Sequence, residues 1–183
     1  MAATGGGNEL ITINVWEKIG LASGQSVGDL GCGNLGYFAI PAAKIVGKNG
    51  TVYAVDILKS VLQAVESRVK QEGLENVKTI WSNLEVVGAT KIPEGSLDAE
   101  FLHNVLFQSD KDDLVLKEAH RLLKSGGQLM VIDWLKVDAP FGPPMADRID
   151  QAAVKQQAMA VGFSLAEEFT AGPYHYGLLF VKQ

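Results

Sequence analysis

Cysteine, basic charge and long apolar runs are all scarce in this chain. Cys32 is the only cysteine, which excludes an intramolecular disulfide and any multi-cysteine metal site, and no metal is expected. Basic side chains are outnumbered, 16 against 21 acidic, and the net charge of −5 opposes nucleic acid and anionic membrane surfaces as partners. Although 47% of the residues are hydrophobic, none of the apolar runs approaches the ~18 residues of a membrane-spanning helix. Met1 to Asn8 has neither the basic nor the apolar region of a signal peptide, so a cytoplasmic location is expected. No repeat, low-complexity tract or linker interrupts the 183 residues, a length that one core serves.

What is present is an alternation of short apolar runs with longer segments of helical period, the pattern of a parallel sheet covered by helices. Strands are predicted at Ser26–Leu30, Thr51–Val55, Asn76–Trp81, Leu97–Leu102 and Gln128–Ile132. Helices are predicted at Tyr37–Val46, with Pro41 near the first turn, and over the stripe Leu58, Val61, Leu62, Val65 and Val69 up to Gly73. Ser109 and Asp112 form a capping box for a helix to Lys124, ended by Gly126 and Gly127, and another helix spans Met145–Val161. The segments Phe163–Phe169 and Gly177–Val181 are separated only by Thr170–Tyr176, too short for a crossover helix, so they are predicted to pair antiparallel.

The chemistry concentrates in Val27-Gly-Asp-Leu-Gly-Cys-Gly-Asn-Leu-Gly36, a strand running into Gly31, Gly33 and Gly36 just before a helix. Glycines there let the chain turn tightly and let a ligand approach the backbone. Asp29, two residues before the first glycine, suits a cationic ligand better than a pyrophosphate. Asp56, at the end of the second strand, lies where a ribose diol would sit, and its carboxylate can accept from both hydroxyls.

Asp29-Leu-Gly-Cys-Gly33, Val55-Asp56-Ile57, Leu97-Asp98 and the run Glu118 to Asp133 resemble, in order, the successive motifs of class I S-adenosylmethionine-dependent methyltransferases. That resemblance implies an α/β fold, a Rossmann-like three-layer sandwich whose seven-stranded sheet has the order 3-2-1-4-5-7-6 with strand 7 antiparallel. It implies one domain over residues 1–183, with 1–25 as an N-terminal helix or lid and 26–183 as the core. The cofactor would be S-adenosylmethionine, its methionine portion over Gly31, Cys32, Gly33 and Gly36. Its ribose would lie on Asp56 and its adenine near Ile57 and the Ser82-Asn83-Leu84 loop. Two features depart from the family pattern: Asn34-Leu35 makes the glycine loop one residue longer, and Asn83 replaces a commoner Asp while keeping an oxygen that can accept from adenine.

Methyl transfer from a sulfonium is an in-line displacement driven by alignment and exclusion of water, so an obligatory acid or base is not required. His103 and Asn104, after strand 4, are the polar groups nearest the methyl group and are the catalytic candidates; a His103 that only packs under the next helix is the alternative. Gln108, Trp134, Tyr174 and His175 are candidate acceptor contacts, against a purely structural role for the turn Pro173–Tyr176. His120 reads as a solvated helix-face residue, Cys32 as packing beneath the cofactor, and Lys44, Lys48 and Lys59 as surface charges.

The acceptor is expected to be a small molecule, because the Asn/Asp-Pro-Pro-aromatic signature of base methylation does not follow strand 4 and arsenite chemistry would require three cysteines. Only a short amphipathic stretch with Leu10, Ile11, Ile13, Val15 and Trp16 precedes strand 1 as cover. Either the acceptor is small, or a second subunit of a homodimer closes the site. The competing functions are a non-catalytic module that binds S-adenosylmethionine or S-adenosylhomocysteine, and an NAD-dependent oxidoreductase.

Overall fold

The computed structural model describes residues 14–183, so Leu10, Ile11 and Ile13 of the proposed lid lie outside the described residues. The strands are β1 (Ser26–Leu30), β2 (Thr51–Asp56), β3 (Val77–Trp81), β4 (Leu97–His103), β5 (Leu123–Trp134), β6 (Phe163–Gly172) and β7 (His175–Lys182). The helices are α1 (Val15–Ile19), α2 (Ala39–Val46), α3 (Lys59–Gln71), α4 (Asp112–Leu122) and α5 (Gln151–Val161). Short 3-10 turns occupy Leu106–Gln108 and Met145–Asp147. The sheet has the expected order β3-β2-β1-β4-β5-β7-β6. Strands β1 to β5 pair in parallel, and β7 is antiparallel to both β5 and β6.

Each face of the sheet carries its own apolar layer, which is why these strands are rich in consecutive apolar residues rather than alternating ones. On one face Val27, Val52, Phe101 and Ile132 pack with Phe38, Ala42 and Val46 of α2 and Leu62 and Val65 of α3. On the other, Leu30, Leu102, Leu129 and Val131 pack with Leu116, Ala119 and Leu122 of α4 and Val154 and Ala158 of α5. Helix α1 belongs to the first layer, with Val15 and Ile19 buried and Trp16 set edge-on to Phe101 at 5.4 Å. Val15 is therefore part of the core, and the half-buried Trp16 packs against it.

Several boundaries differ from those predicted, each for a local reason. The capping box does not form: the Ser109 hydroxyl accepts from Lys111 N at 3.0 Å and donates to Glu85 at 2.8 Å, and α4 starts at Asp112 with Asp112 and Asp113 in its first turn. Gly126 and Gly127 do not end that helix. They lie in a bulge within β5, which starts at Leu123 opposite Leu97 and regains regular register at Ala99–Gln128. Helix α5 begins at Gln151 rather than Met145, because the Asp150 carboxylate accepts from Ala152 N at 2.8 Å and from Ala153 N at 3.4 Å as a cap. The final hairpin pairs as far as Gly172–His175 and leaves only Pro173 and Tyr174 as its turn. His120 is not solvated: its ring is half-buried and set edge-on to Phe163 at 5.1 Å.

Strands β3 and β6 form the sheet edges. On β6, Glu167 and Glu168 are exposed and paired with Lys18 and Lys155, and the strand bulges between Leu165 and Glu167 and again between Thr170 and Gly172.

A buried ion pair fixes the connection from β3 to β4. Glu118 of α4 is fully buried and accepts from Gly88 N at 2.7 Å, Thr90 N at 3.1 Å and Arg121 at 2.8 Å and 2.9 Å. Burial alone would raise its pKa, but the Arg121 guanidinium and the two amides more than reverse that and hold the carboxyl at about 2. Glu118→Ala leaves Arg121 and two amides without their acceptor, and is expected to destabilise the fold by about 3 kcal/mol in urea unfolding. A folded-state value below the unfolded one means that this contribution is complete above about pH 4.5 and is lost as pH falls towards 2.

Candidate functional site

Strand β1 connects through α2 to β2 on one side, and its other neighbour β4 connects through α4 to β5 on the opposite side. The carboxyl ends of β1 and β4 therefore flank a crevice, the place where open α/β sheets bind ligands.

The glycine loop forms one wall. Gly31 N and Cys32 N donate to Val55 O at 2.8 Å and 3.0 Å, which pins the start of the loop to β2. Gly31 has φ +80°, and a Cβ there would lie 2.5 Å from Val105 of the segment after β4, so only glycine lets the two walls approach so closely. Gly33, by contrast, is exposed with nothing within 4 Å of where a Cβ would point, leaving bare backbone towards the crevice. The longer loop is tied down at its extra residue, where Leu35 O accepts from Arg68 Nη1 at 2.5 Å, and Gly36 closes it against Ile40 and Val65.

Asp29 stands behind this loop rather than in front of it. It is buried, and its Oδ2 accepts from Ala39 N at the start of α2 at 2.8 Å. Burial lifts its pKa to about 7, partly offset by the Ala39 amide and reinforced by the nearby Asp56. Cys32 is buried as expected, and burial together with Asp29 and Asp56 pushes its thiol up, away from reactivity.

At the end of β2 the half-buried Asp56 accepts from Gly33 N at 3.2 Å and from Leu58 N at 2.9 Å. The next residue, Ile57, is 52% exposed and forms an apolar platform, and its carbonyl accepts from the Trp81 indole at 2.8 Å. Asn83 is half-buried with its amide oxygen already accepting from Glu85 N at 2.9 Å, while Leu84 is buried and Ser82 bonds Thr90 at 3.0 Å. The sequence reading missed Trp81 and the Glu118 anchor of this loop; a helix-borne glutamate three residues before an arginine looks in sequence like any exposed ion pair.

The opposite wall is built at the ends of β4, β5 and β7. His103 ends β4 with its Nε2 buried and unpartnered, and burial, aided by His175, holds its pKa down at about 3, so the ring is neutral. Asn104 follows with φ 55°, a left-handed conformation that asparagine tolerates, and its side-chain oxygen is also buried without a partner. Gln108 is exposed and turned back, donating to Asn104 O at 2.5 Å. Phe38 and Tyr37 lie 5.0 Å and 5.9 Å from the His103 ring, and His175 lies 6.2 Å away.

Two of the proposed acceptor contacts are covered. His175 is fully buried and packs at a tilt against Trp134 with ring centres 4.2 Å apart, and Trp134 in turn lies beneath Gly142 and Phe141 of the loop after β5. Tyr174 is half-buried with its ring edge-on to Phe141 at 5.2 Å. Asp133, unassigned in the sequence, is fully buried at the same edge and accepts from Trp134 N at 2.8 Å and Phe107 N at 3.3 Å. Among the described residues, no group of three or more His, Cys, Asp or Glu side chains gathers as metal ligands, and no helix is long and apolar enough to cross a membrane.

These features fit S-adenosylmethionine. Bare backbone at Gly33, a carboxylate at Asp56 and an apolar platform at Ile57 stand at the carboxyl ends of β1 and β2, and the buried, unpartnered polar atoms of His103 and Asn104 lie at the end of the neighbouring β4. Residues 21–167 match the profile of a family described as a methyltransferase domain. The chain is 35% identical over 126 residues to the ubiquinone/menaquinone biosynthesis C-methyltransferase UbiE of Hydrogenovibrio crunogenus, covering 68% of this chain and 48% of that protein. It is 32% identical over 120 residues to the demethylmenaquinone methyltransferase of Geobacillus kaustophilus, covering 66% and 50%. The chain thus spans about half the length of the curated relatives it matches. A SAM-dependent methyltransferase from Aquifex aeolicus superposes with a TM-score of 0.84 at 25% identity, over 92% of this chain and 88% of that one.

Burial lifts the Asp133 pKa to about 7, against a partial offset from the Trp134 and Phe107 amides. The folded state thus holds a proton that the unfolded chain releases near 3.8, so stability from this group is complete below about pH 3.8 and is lost as pH rises through 7. Asp133→Asn cannot ionise, and its stability relative to wild type is expected to improve from about pH 5 to about pH 8. Denaturant unfolding at the two pH values measures this, and a difference that does not move with pH refutes it.

Proposed function

The chain belongs to the class I S-adenosylmethionine-dependent methyltransferases, and on that premise we propose that it moves a methyl group to a small-molecule acceptor held at the carboxyl ends of β4 and β5 and the amino end of β7. The observation that carries this reading is the pair of orphaned polar atoms, His103 Nε2 and Asn104 Oδ1, on the strand flanking β1 opposite the Asp56 carboxylate. A buried polar group without a partner is costly, so these two atoms are best satisfied by a bound molecule.

When bound, S-adenosylmethionine supplies an electrophilic methyl group on a sulfonium. Asp56 orients the ribose, Ile57 and the Asn83-Leu84 turn receive the adenine, and the glycine loop presents backbone to the methionine portion. Asp29 acts on the cation through its field and through the loop it holds, since it is buried behind that loop. Asn104 steers the acceptor atom into line. His103, kept neutral by burial, offers its unpartnered Nε2 as a hydrogen-bonding partner to the acceptor, and any proton that the acceptor sheds leaves to solvent.

A ring-shaped acceptor is supported by the half-buried aromatic rings of Tyr37 and Tyr174 at this wall, and by relatives named for ubiquinone/menaquinone biosynthesis and demethylmenaquinone methylation. Homodimer formation would extend the cover over this wall, and its test is the mass of the purified protein in solution.

Calorimetric titration with S-adenosylmethionine, S-adenosylhomocysteine and NADH tests the cofactor, and release of S-adenosylhomocysteine across a panel of hydroxylated ring compounds tests the transfer. Binding of the first two and not of NADH is expected. Asp56→Ala, which removes hydrogen-bonding oxygens from the ribose site, is expected to weaken S-adenosylhomocysteine binding by at least about 1 kcal/mol. Unchanged affinity in a folded variant removes Asp56 from the site.

A further inference from the structure

Arg148 is a buried cation with no carboxylate beside it: none of the ion pairs among the described residues includes it. Its guanidinium is spent on main-chain carbonyls instead. Nε and Nη2 donate to Pro143 O at 3.1 Å and 3.0 Å, and Nη1 donates to Leu135 O at 2.8 Å and Val137 O at 2.6 Å. One side chain thus fastens both the start and the end of the loop between β5 and α5. The guanidinium also lies over the Trp134 ring, 5.3 Å from its centre.

The loop so fastened closes over the acceptor end of the sheet. Gly142 has φ +93° and rests flat on Trp134, where a Cβ would come within 2.6 Å of the indole. Beside it Phe141, 45% exposed, leans edge-on against Tyr174. Beneath them Trp134 packs at a tilt against His175, whose ring centre lies 6.2 Å from that of His103. A chain of contacts therefore runs from Arg148 to the His103 ring.

We propose that Arg148 is the positioning residue of the acceptor wall: it holds the Leu135–Arg148 loop onto Trp134 and so fixes His175 against His103 and sets which molecules reach them. The proposal rests on the methyltransferase reading of the crevice. Burying a guanidinium without a counter-ion costs several kcal/mol, more than an ordinary loop contact warrants, whereas a planar group with five donors can bind three carbonyls at once in a way that lysine cannot. The charge has a second consequence. The charged and titratable groups facing His175 are Arg148 across Trp134 and His103 on β4, and burial followed by the Arg148 charge keeps His175 neutral, with its pKa near 4.

Arg148→Lys and Arg148→Met separate brace from charge. In a background carrying Trp16→Phe and Trp81→Phe, acrylamide quenching of the remaining Trp134 is expected to rise severalfold in both variants, because neither can hold the loop. The His175 titration midpoint, followed by NMR, is expected to stay low in Arg148→Lys and to rise by about one pH unit or more in Arg148→Met. S-adenosylhomocysteine affinity is expected to be unchanged in both. A folded Arg148→Met whose Trp134 and His175 behave as in the wild type overturns the proposal. Should that variant not fold, Gly142→Ala keeps the charge and drives a methyl group into Trp134; unchanged quenching there overturns the proposal equally. Failure of the wild type to bind S-adenosylhomocysteine overturns the reading of the crevice itself, and with it the wall's role, a result separable from any loop measurement.

Discussion

The hydrogen bond from Ala39 N to the buried Asp29 carboxylate is the contact on which the crevice depends. It joins the end of β1 to the first residue of α2 across the whole glycine loop. With both ends of the loop fixed, and Gly31 and Cys32 bonded to Val55, the only freedom left lies around Asn34 and Leu35, where Arg68 takes hold. An acid is needed here because the amides at a helix start point outward unsatisfied and carry partial positive charge. The same acid is close enough to Asp56 for that carboxylate's charge to help lift its pKa.

The two walls are built on different principles. Towards the cofactor, the surface is backbone and one carboxylate, placed by glycines and by strand ends, and it needs few side chains of its own. Behind the proposed acceptor wall runs a chain of ring contacts, Trp134, His175, His103, Phe38 and Tyr37, with the Arg148 guanidinium over Trp134. Changes of specificity can therefore occur in the second wall while the first keeps its geometry. The Glu118 network has a parallel role on the far side, where α4 holds the turn carrying Asn83 and Leu84 from behind.

The antiparallel last strand and the glycine loop were legible in sequence because they follow from local signals, Gly-rich punctuation and a gap too short for a helix, whereas the sheet order followed from the resemblance of the ordered motifs to class I methyltransferases. The α5 boundary was misjudged because helical period continues back to Met145, and only the capping geometry of Asp150 shows where hydrogen bonding begins. Gly126 and Gly127 carried the composition of a helix stop yet serve a bulge, since Leu123 finds its partner Leu97 before they are reached. Burial of Trp134 and His175 could not be read from spacing, as it depends on a loop folding back through contacts of Arg148 with carbonyls, and carbonyls leave no trace in residue identity. Asp29 stood out in the sequence, but its direction did not, because facing the crevice or facing α2 satisfies the same pattern.

The outer strand β6 has a consequence for the molecule's social behaviour. A strand at the rim of a sheet offers unpaired amides and carbonyls to any extended chain that comes near. Here that rim is kinked twice by bulges and carries two adjacent glutamates engaged by Lys18 and Lys155. An incoming strand would have to displace both ion pairs and match a broken register. The sheet is thereby terminated at seven strands on this side, and growth by strand addition into larger aggregates is discouraged at its most extended free edge.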